Sequence, residues 1–345
     1  MLAPTILTEH EVTMAEAAVL LRELTDAGAA VMLWGPPGIG KSAIVFQMGE
    51  ATDRKVIEYR ANLREPVDVR GIPVPDLKSG STKWLVPDEL PQEKRDGKRG
   101  ILFLDEINTA SPQMMAVLFG LVLDRRVGDY VLPDGWVIVA AGNRVSDRAA
   151  AQRMPTALRN RFAHLFCKPD LPAFCLWANA NGVSPELVAF LRFREAAGDG
   201  LLHRMPRGDE NTFPSPRSNV AAAKHVNASD KLRLRLFAAH IGDGPAAEFD
   251  GFIGIYRSIG TLDDVANNPD TAPIPTEPSL QYAVCTGLAR MATKKNFANI
   301  MKYAQRLNRE KEMLLVTDAT NRDESLKNTS CYGEWAVANA DLIVQ

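Results

Sequence analysis

The sequence predicts an α/β fold, a parallel sheet with crossover helices, followed by a purely helical region. Three observations carry this. Short apolar runs that read as buried strands, AAVMLW (29–34), GILFLDEI (100–107) and WVIVAAGN (136–143), alternate with helix-period segments up to about residue 168. A glycine-rich loop, GPPGIGKS (35–42), joins the first of these strands to the helix that follows. Beyond Pro169 the strand signals stop and helical spacing takes over.

Each element follows from local chemistry. Residues 11–27 space their apolar side chains for an amphipathic helix, with Gly28 as its stop. After the glycine loop, AIVFQMGEAT continues as a helix and KVIEYRA (55–61) reads as a second strand. Prolines and glycines punctuate residues 64–98, where GIPVPD and TKWLV, separated by LKSGS, read as a hairpin projecting from the sheet. SPQMMAVLFGLVLDRR is a helix, and VGDYVLPDG, within the insert near 126–135, is a second hairpin. PAFCLWANANG, SPELVAFLRFREAAG, SNVAAAKHV and KLRLRLFAAHIG are helices, interrupted by the polar loop of residues 199–218. NNPDTAPIPTEPS (267–279) reads as a linker, and the remaining residues again as helices. The expected organisation is a nucleotide-binding α/β domain over 1–168, a helical lid over 169–262, and a linker with a helical extension over 263–345.

Composition narrows the function classes. Hydrophobic residues make up 46% and charged residues 24%, as in ordinary water-soluble globular chains. The formal net charge of -2 offers no global basic field toward nucleic acid or anionic lipid, which disfavours a nucleic-acid partner. The N-terminal stretch lacks a basic, apolar leader pattern and no apolar run is long enough to span a membrane, so the expected location is cytoplasmic. The four cysteines, Cys167, Cys175, Cys285 and Cys331, show no metal or redox spacing and read as buried free thiols. No metal cage of protein ligands is expected.

Two motifs carry chemistry. Gly35, Pro36, Pro37, Gly38, Ile39, Gly40, Lys41 and Ser42 fit G-x-x-x-x-G-K-[ST], with Ala43 next in the helix. The glycines let backbone N–H groups curl around phosphate oxygens, Lys41 reaches the β and γ phosphates of ATP, and Ser42 offers a hydroxyl to Mg²⁺. A plain glycine turn is the other reading, and the flanking strand and helix favour the phosphate loop. ILFLDE ends a strand in Asp105, placed to hold magnesium through water, and Glu106, placed to orient or deprotonate an attacking water. The same pair could instead open the helix of DEINTASP.

Taken in order, GPPGIGKS, FLDE, VAAGN, LRNRF and SPR resemble the motifs of the AAA+ ATPases, in the MoxR and dynein-related branch that includes CbbQ/NorQ and midasin-like proteins. The resemblance covers about residues 5 to 230. It implies a P-loop NTPase sheet with flanking helices, an α-helical lid and an added helical C-terminal region. It further implies that Asn143 is the sensor-1 amide near the γ-phosphate, and that Arg161, or Arg159 beside it, is a finger offered to the neighbouring subunit's nucleotide. Arg217, in Ser215-Pro216-Arg217, resembles the sensor-2 arginine of the lid. The two inserts resemble hairpins that face a pore or a partner, with Trp84 and Tyr130 as candidates for contact; a covered hairpin with one packed aromatic is an equal reading.

The resemblance implies a Mg²⁺-dependent, ring-forming, chaperone-like ATPase, a hexamer in its relatives, that remodels a protein client together with a partner carrying a von Willebrand factor A (VWA) domain. A nucleotide-switched scaffold with little turnover is the alternative, and a nucleic-acid motor or loader a third reading. The C-terminal helices, from residue 240 onward, depart from the family pattern.

Overall fold

The computed structural model describes residues 11–144, 147, 152–206, 208, 210–258 and 262–340. Residues 1–10 and the last residues of the expected final helix, 341–345, lie outside the described residues. Met1–Pro169 and Asp170–Gln345 form two compact units.

The first unit runs β1 (Glu11–Thr13), α1 (Met14–Asp26), β2 (Val31–Trp34), α2 (Lys41–Ala51), β3 (Lys55–Arg60), α3 (Pro66–Arg70), β4 (Ile72–Asp76), β5 (Ser81–Leu85), α4 (Glu93–Asp96), β6 (Arg99–Asp105), α5 (Pro112–Asp124), β7 (Arg126–Val127), β8 (Tyr130–Val131), β9 (Gly135–Gly142), α6 (Thr156–Arg159) and β10 (Ala163–Lys168). Six strands form one parallel sheet in the order β1-β10-β2-β9-β6-β3. Alternate residues of each central strand enter opposite cores, as a period of two requires. Met32, Leu102, Leu104, Ile138 and Ala140 pack with Met114 and Leu118 of α5. Val31, Leu33, Ile101, Phe103 and Val139 pack with Leu21 of α1 and Ile44 of α2.

Residues 11–13 depart from the expected helix. They extend along β10, pairing Glu11 with Phe166 and Thr13 with Lys168. The helix starts one residue later because Thr13 caps it: its hydroxyl accepts the Glu16 N–H at 3.2 Å while its own N–H donates to the Glu16 carboxylate at 2.7 Å. β10 itself carried no distinct expectation beyond the alternation reaching residue 168. Both hairpins form, β4 with β5 and β7 with β8. They are joined, since the Trp84 N–H donates to the Asp129 carboxylate at 2.8 Å. Tyr130 is buried and its hydroxyl donates to the Pro91 carbonyl at 2.8 Å, so it serves the packed reading rather than outward contact. Trp84 is half-buried.

The second unit is helical: α7 (Leu171–Ala180), α8 (Pro185–Ala196), α9 (Pro216–Ala223), α10 (Asp230–Ile241), α11 (Asp243–Ser258), α12 (Leu262–Asn267), α13 (Pro278–Met291), α14 (Phe297–Ala304), α15 (Arg309–Arg322) and α16 (Ser330–Ala338). Glycines 244, 251 and 254 masked α11 in the sequence, because each lowers helix propensity. Its Phe249, Phe252 and Ile253 nonetheless pack with Phe190 and Phe237, and burial outweighs propensity. Among the described residues no helix is long and apolar enough to cross a membrane.

The stretch expected as a linker is pinned. Arg306 donates to the carbonyls of Pro269 and Ala272, and Tyr303 to that of Pro273 at 3.0 Å. α13 contributes to two cores, with Ala283 among the residues around Phe190 and Val284 and Leu288 among those around Phe297. A bidentate ion pair crosses the same region: Arg192 of α8 meets Asp318 of α15, with side chains 11% and 6% exposed. Asp318 acts on Arg192 by hydrogen bond and charge, which outweighs burial and raises the guanidinium pKa further. Removing one partner strands the other charge. Asp318→Ala should lower stability by about 3–5 kcal/mol, whereas Arg192→Met with Asp318→Leu should recover most of the loss. Urea denaturation of the full chain, followed by far-UV circular dichroism, measures both.

Candidate functional site

Between β2 and α2 the chain turns through three glycines at positive φ, Gly35 at 153°, Gly38 at 80° and Gly40 at 107°. A Cβ on Gly35 would lie 2.6 Å from the Cys167 carbonyl oxygen, so the loop can hug β10 only with glycine there. Gly40 is the N-cap of α2 and supplies no side-chain hydrogen bond, leaving the first-turn N–H groups directed ahead of the helix. Pro36 and Gly38 are buried, Pro37 is half-buried, and Ala43 is exposed on the first turn. Ile39 points inward and belongs to the core around α1 and α2.

Lys41 is only 9% exposed. A buried ammonium must be solvated by protein oxygens. It donates to the carbonyls of Gly35 at 2.6 Å and Pro36 at 2.9 Å, and to Asn143 Oδ1 at 3.0 Å. The sheet order makes the last contact possible. β9 lies between β2 and β6, so Asn143, just past its end, stands between the loop lysine and the carboxylates.

At the end of β6, Ser42 Oγ donates to Asp105 Oδ2 at 3.2 Å. Asp105 Oδ1 accepts the Glu106 N–H at 2.9 Å. Burial raises the Asp105 carboxyl above its ordinary pKa, with the two hydrogen bonds opposing and the nearby Glu106 and Glu58 charges adding. Glu106 takes a left-handed conformation at φ 53°, and Asn62 Nδ2 donates to its Oε2 at 2.6 Å. Neither acid caps the next helix. Ser111 does, accepting the Met114 N–H at 3.2 Å.

Asn108, 1% exposed, locks the Asn143 backbone from both sides. Its Nδ2 donates to the Asn143 carbonyl at 2.7 Å and its Oδ1 accepts the Asn143 N–H at 3.3 Å. A Cβ on Gly142 would come within 2.3 Å of that Oδ1, so the lock requires a glycine before Asn143. The motif reading missed Asn108 and Asn62. Asn108 stands inside the DEINTASP stretch, three residues past Asp105, where a polar residue headed for burial is a usable signal. Asn62 had none, since its partner is 44 residues away in the chain.

Arg159 ends α6 and Arg161 follows; both side chains are exposed, and neither forms an ion pair among the described residues. Arg217 is exposed in the first turn of α9, after Ser215 caps it and Pro216 opens it. A cation at a helix N-terminus opposes the helix dipole, so the helix gains nothing from it. Arg217 belongs to the second unit and Lys41, Asp105 and Asn143 to the first.

Residues 30–162 match the family described as the AAA domain of the dynein-related subfamily. This segment is an AAA domain of the dynein-related type. The chain is 27% identical over 143 residues to midasin of Giardia intestinalis, an alignment that spans 39% of this chain and 3% of that protein. The chain therefore corresponds to a small fraction of this curated relative's length. Among solved structures, a RuvB mutant of Thermotoga maritima is 16% identical, covering 80% of this chain and 79% of its own, with a TM-score of 0.39. NtrX of Brucella abortus in complex with ADP is 12% identical, covering 97% and 69%, with a TM-score of 0.35. The matched segment contains the whole loop Gly35–Ser42, the strand-end acids Asp105 and Glu106, and Asn143.

The raised carboxyl sets a pH dependence. A carboxyl with a folded-state pKa above its unfolded value lends stability that is fully present below the unfolded pKa and is lost as pH rises through the folded one. Asp105→Asn removes that loss. Without nucleotide, its thermal midpoint should gain on the wild type as pH rises from about 4 to about 7, as scanning calorimetry would record.

Proposed function

We propose that this protein is a Mg²⁺-dependent AAA+ ATP phosphohydrolase of MoxR type, which assembles into a hexameric ring and converts hydrolysis into remodelling of a protein client. The observation that carries this is the convergence of Lys41, Asn143, Ser42, Asp105 and Glu106 at the ends of three adjacent strands. Lys41 exchanges its carbonyl contacts for the β and γ phosphate oxygens, and the α2 N–H groups bind the same anion. The Ser42 hydroxyl and the Asp105 carboxylate form a hard-oxygen pair suited to Mg²⁺, which would neutralise charge on the phosphates; such an ion keeps several waters and asks few protein ligands. Glu106 takes the proton of the attacking water, and the Asn62 amide holds its carboxylate until the water arrives. Asn143, locked by Asn108, orients the γ-phosphate side of the site.

Arg161, or Arg159 beside it, completes the neighbour's site. Two exposed guanidinium groups that form no ion pair among the described residues support action across a subunit boundary. Arg217 is assigned to sensing nucleotide from the lid, residues 169–262, and α13 argues that the extension over 263–345 packs with the lid helices. A VWA-domain partner and a protein client are the interactions that the branch favours, and net acidity weighs against nucleic acid. The cytoplasm suits the cysteines, which are free in the structure. Burial pushes Cys167 and Cys175 up to about 11 and Cys285 up to about 12, which leaves them inert as nucleophiles.

Steady-state phosphate release tests the reading. Lys41→Ala should abolish nucleotide binding, Glu106→Gln should keep binding while lowering kcat by roughly 10²–10⁴, and Arg161→Ala with Arg159→Ala should lower kcat by about 10³–10⁵. An unchanged rate in Glu106→Gln would sink hydrolysis as the working step and leave a nucleotide-held scaffold. Size-exclusion chromatography with a slowly hydrolysed ATP analogue should show a larger species than without it. A monomer at full turnover rules out the trans arginine.

A further inference from the structure

Trp34 closes β2 one residue before the phosphate loop, and Arg159 closes α6 at the start of the arginine segment. One side chain touches both. Trp34 Nε1 donates to His164 Nδ1 at 2.8 Å, and His164 Nε2 lies 2.8 Å from the Arg159 carbonyl oxygen. An indole N–H can only donate and a carbonyl can only accept. Both bonds therefore exist together in one form of the ring, the neutral tautomer with its proton on Nε2.

The ring is also held in plane. Its centroid lies 6.0 Å from that of Trp34 and 6.3 Å from that of Phe166, with interplanar angles of 20° in both cases. Phe162, within the arginine segment, meets its edge at 6.5 Å. The Arg159 carbonyl is one of the last of α6, and among the described residues the other donor to it is the Phe162 N–H at 3.3 Å, a long bond at a short helix's end. The imidazole thus adds a side-chain tie at 2.8 Å to a backbone whose own N–H groups at Arg159, Asn160 and Arg161 bond only within the segment, to Pro155, Thr156 and Leu158.

We propose that His164 is a positioning residue, which carries the position of the β2 end and its phosphate loop to the backbone that presents Arg159 and Arg161. The proposal rests on the reading of those arginines as acting on a neighbour's nucleotide. Gly35 follows Trp34 directly and its carbonyl accepts from Lys41, so an exchange of that contact for phosphate shifts the strand end. A flat ring bonded at opposite edges transmits such a shift with little slack. The state of one subunit's nucleotide then biases the guanidinium it offers to the next.

His164→Phe keeps a stacked ring and removes both hydrogen bonds; His164→Gln can restore the donor to the Arg159 carbonyl. His164→Phe should leave the affinity for a fluorescent ATP analogue with Mg²⁺ within about two-fold and lower kcat by about 10-fold, with partial recovery in His164→Gln. Hydrogen exchange of residues 158–162 should respond to nucleotide in the wild type and lose that response in His164→Phe. Wild-type kcat together with a wild-type exchange response in His164→Phe overturns the proposal. So does an equal loss of affinity and kcat without rescue by Gln, which would make the ring a stability element. Arg159→Ala and Arg161→Ala, run beside them, judge the arginine reading by itself: if both keep full rate that reading fails, and the exchange response alone then decides whether His164 links loop and segment.

Discussion

A buried ammonium group organises this structure. Lys41, nearly buried at the sheet's edge, needs oxygens in place of its water, and the protein supplies them from the loop that precedes it and from the end of β9. That demand bends the loop back on itself, which requires the positive φ values of Gly35 and Gly40. It also requires a polar group at the end of β9, which Asn143 provides. The cost of burying the cation is offset by those same oxygens, which fix the ammonium between the loop and the end of β9.

The other parts of the site follow from strand order. With β9 between β2 and β6, the phosphate loop, the polar end of β9 and the carboxylates of β6 come out side by side at one edge of the sheet. Each is then fixed by a neighbour that does not itself carry charge. Asn108 closes a pair of hydrogen bonds on the Asn143 backbone, Asn62 holds Glu106, and Ser42 lies on Asp105. Uncharged amides and a hydroxyl suit this work because they donate and accept without adding another charge to a site already dense in them. In the second unit a charged pair was used instead, Arg192 with Asp318, and there the chemistry is structural.

Much of the site was legible because its chemistry is local in sequence. Gly35 to Ser42 is one contiguous turn, and Asp105 and Glu106 end one apolar strand, so spacing alone exposes both. Arg159 and Arg161 lie within one short segment, LRNRF, and are exposed with no ion pair among the described residues. The helix expected from residue 11 was misread because Glu11, Val12 and Thr13 fit the apolar spacing of α1, whereas pairing with β10, distant in the chain, draws them into a strand. α11 was missed because glycine propensity argues against it and only the packing of Phe249 and Phe252 pays for the helix.

By itself the sequence determined the alternation of strand and helix, the phosphate loop, the strand-end carboxylates and the turn to helices after Pro169, because each depends on periodicity or on residues within one short segment. Tertiary structure alone decided which strands neighbour one another, that Tyr130 turns inward, and that the proline-rich stretch near residue 270 is fastened to Tyr303 and Arg306. It also decided that Asn62, Asn108 and His164 meet partners far away in the chain. The physical reason is that a hydrogen bond between distant segments leaves no periodic trace in the sequence. Only the closing of the sheet brings its two ends within 3 Å.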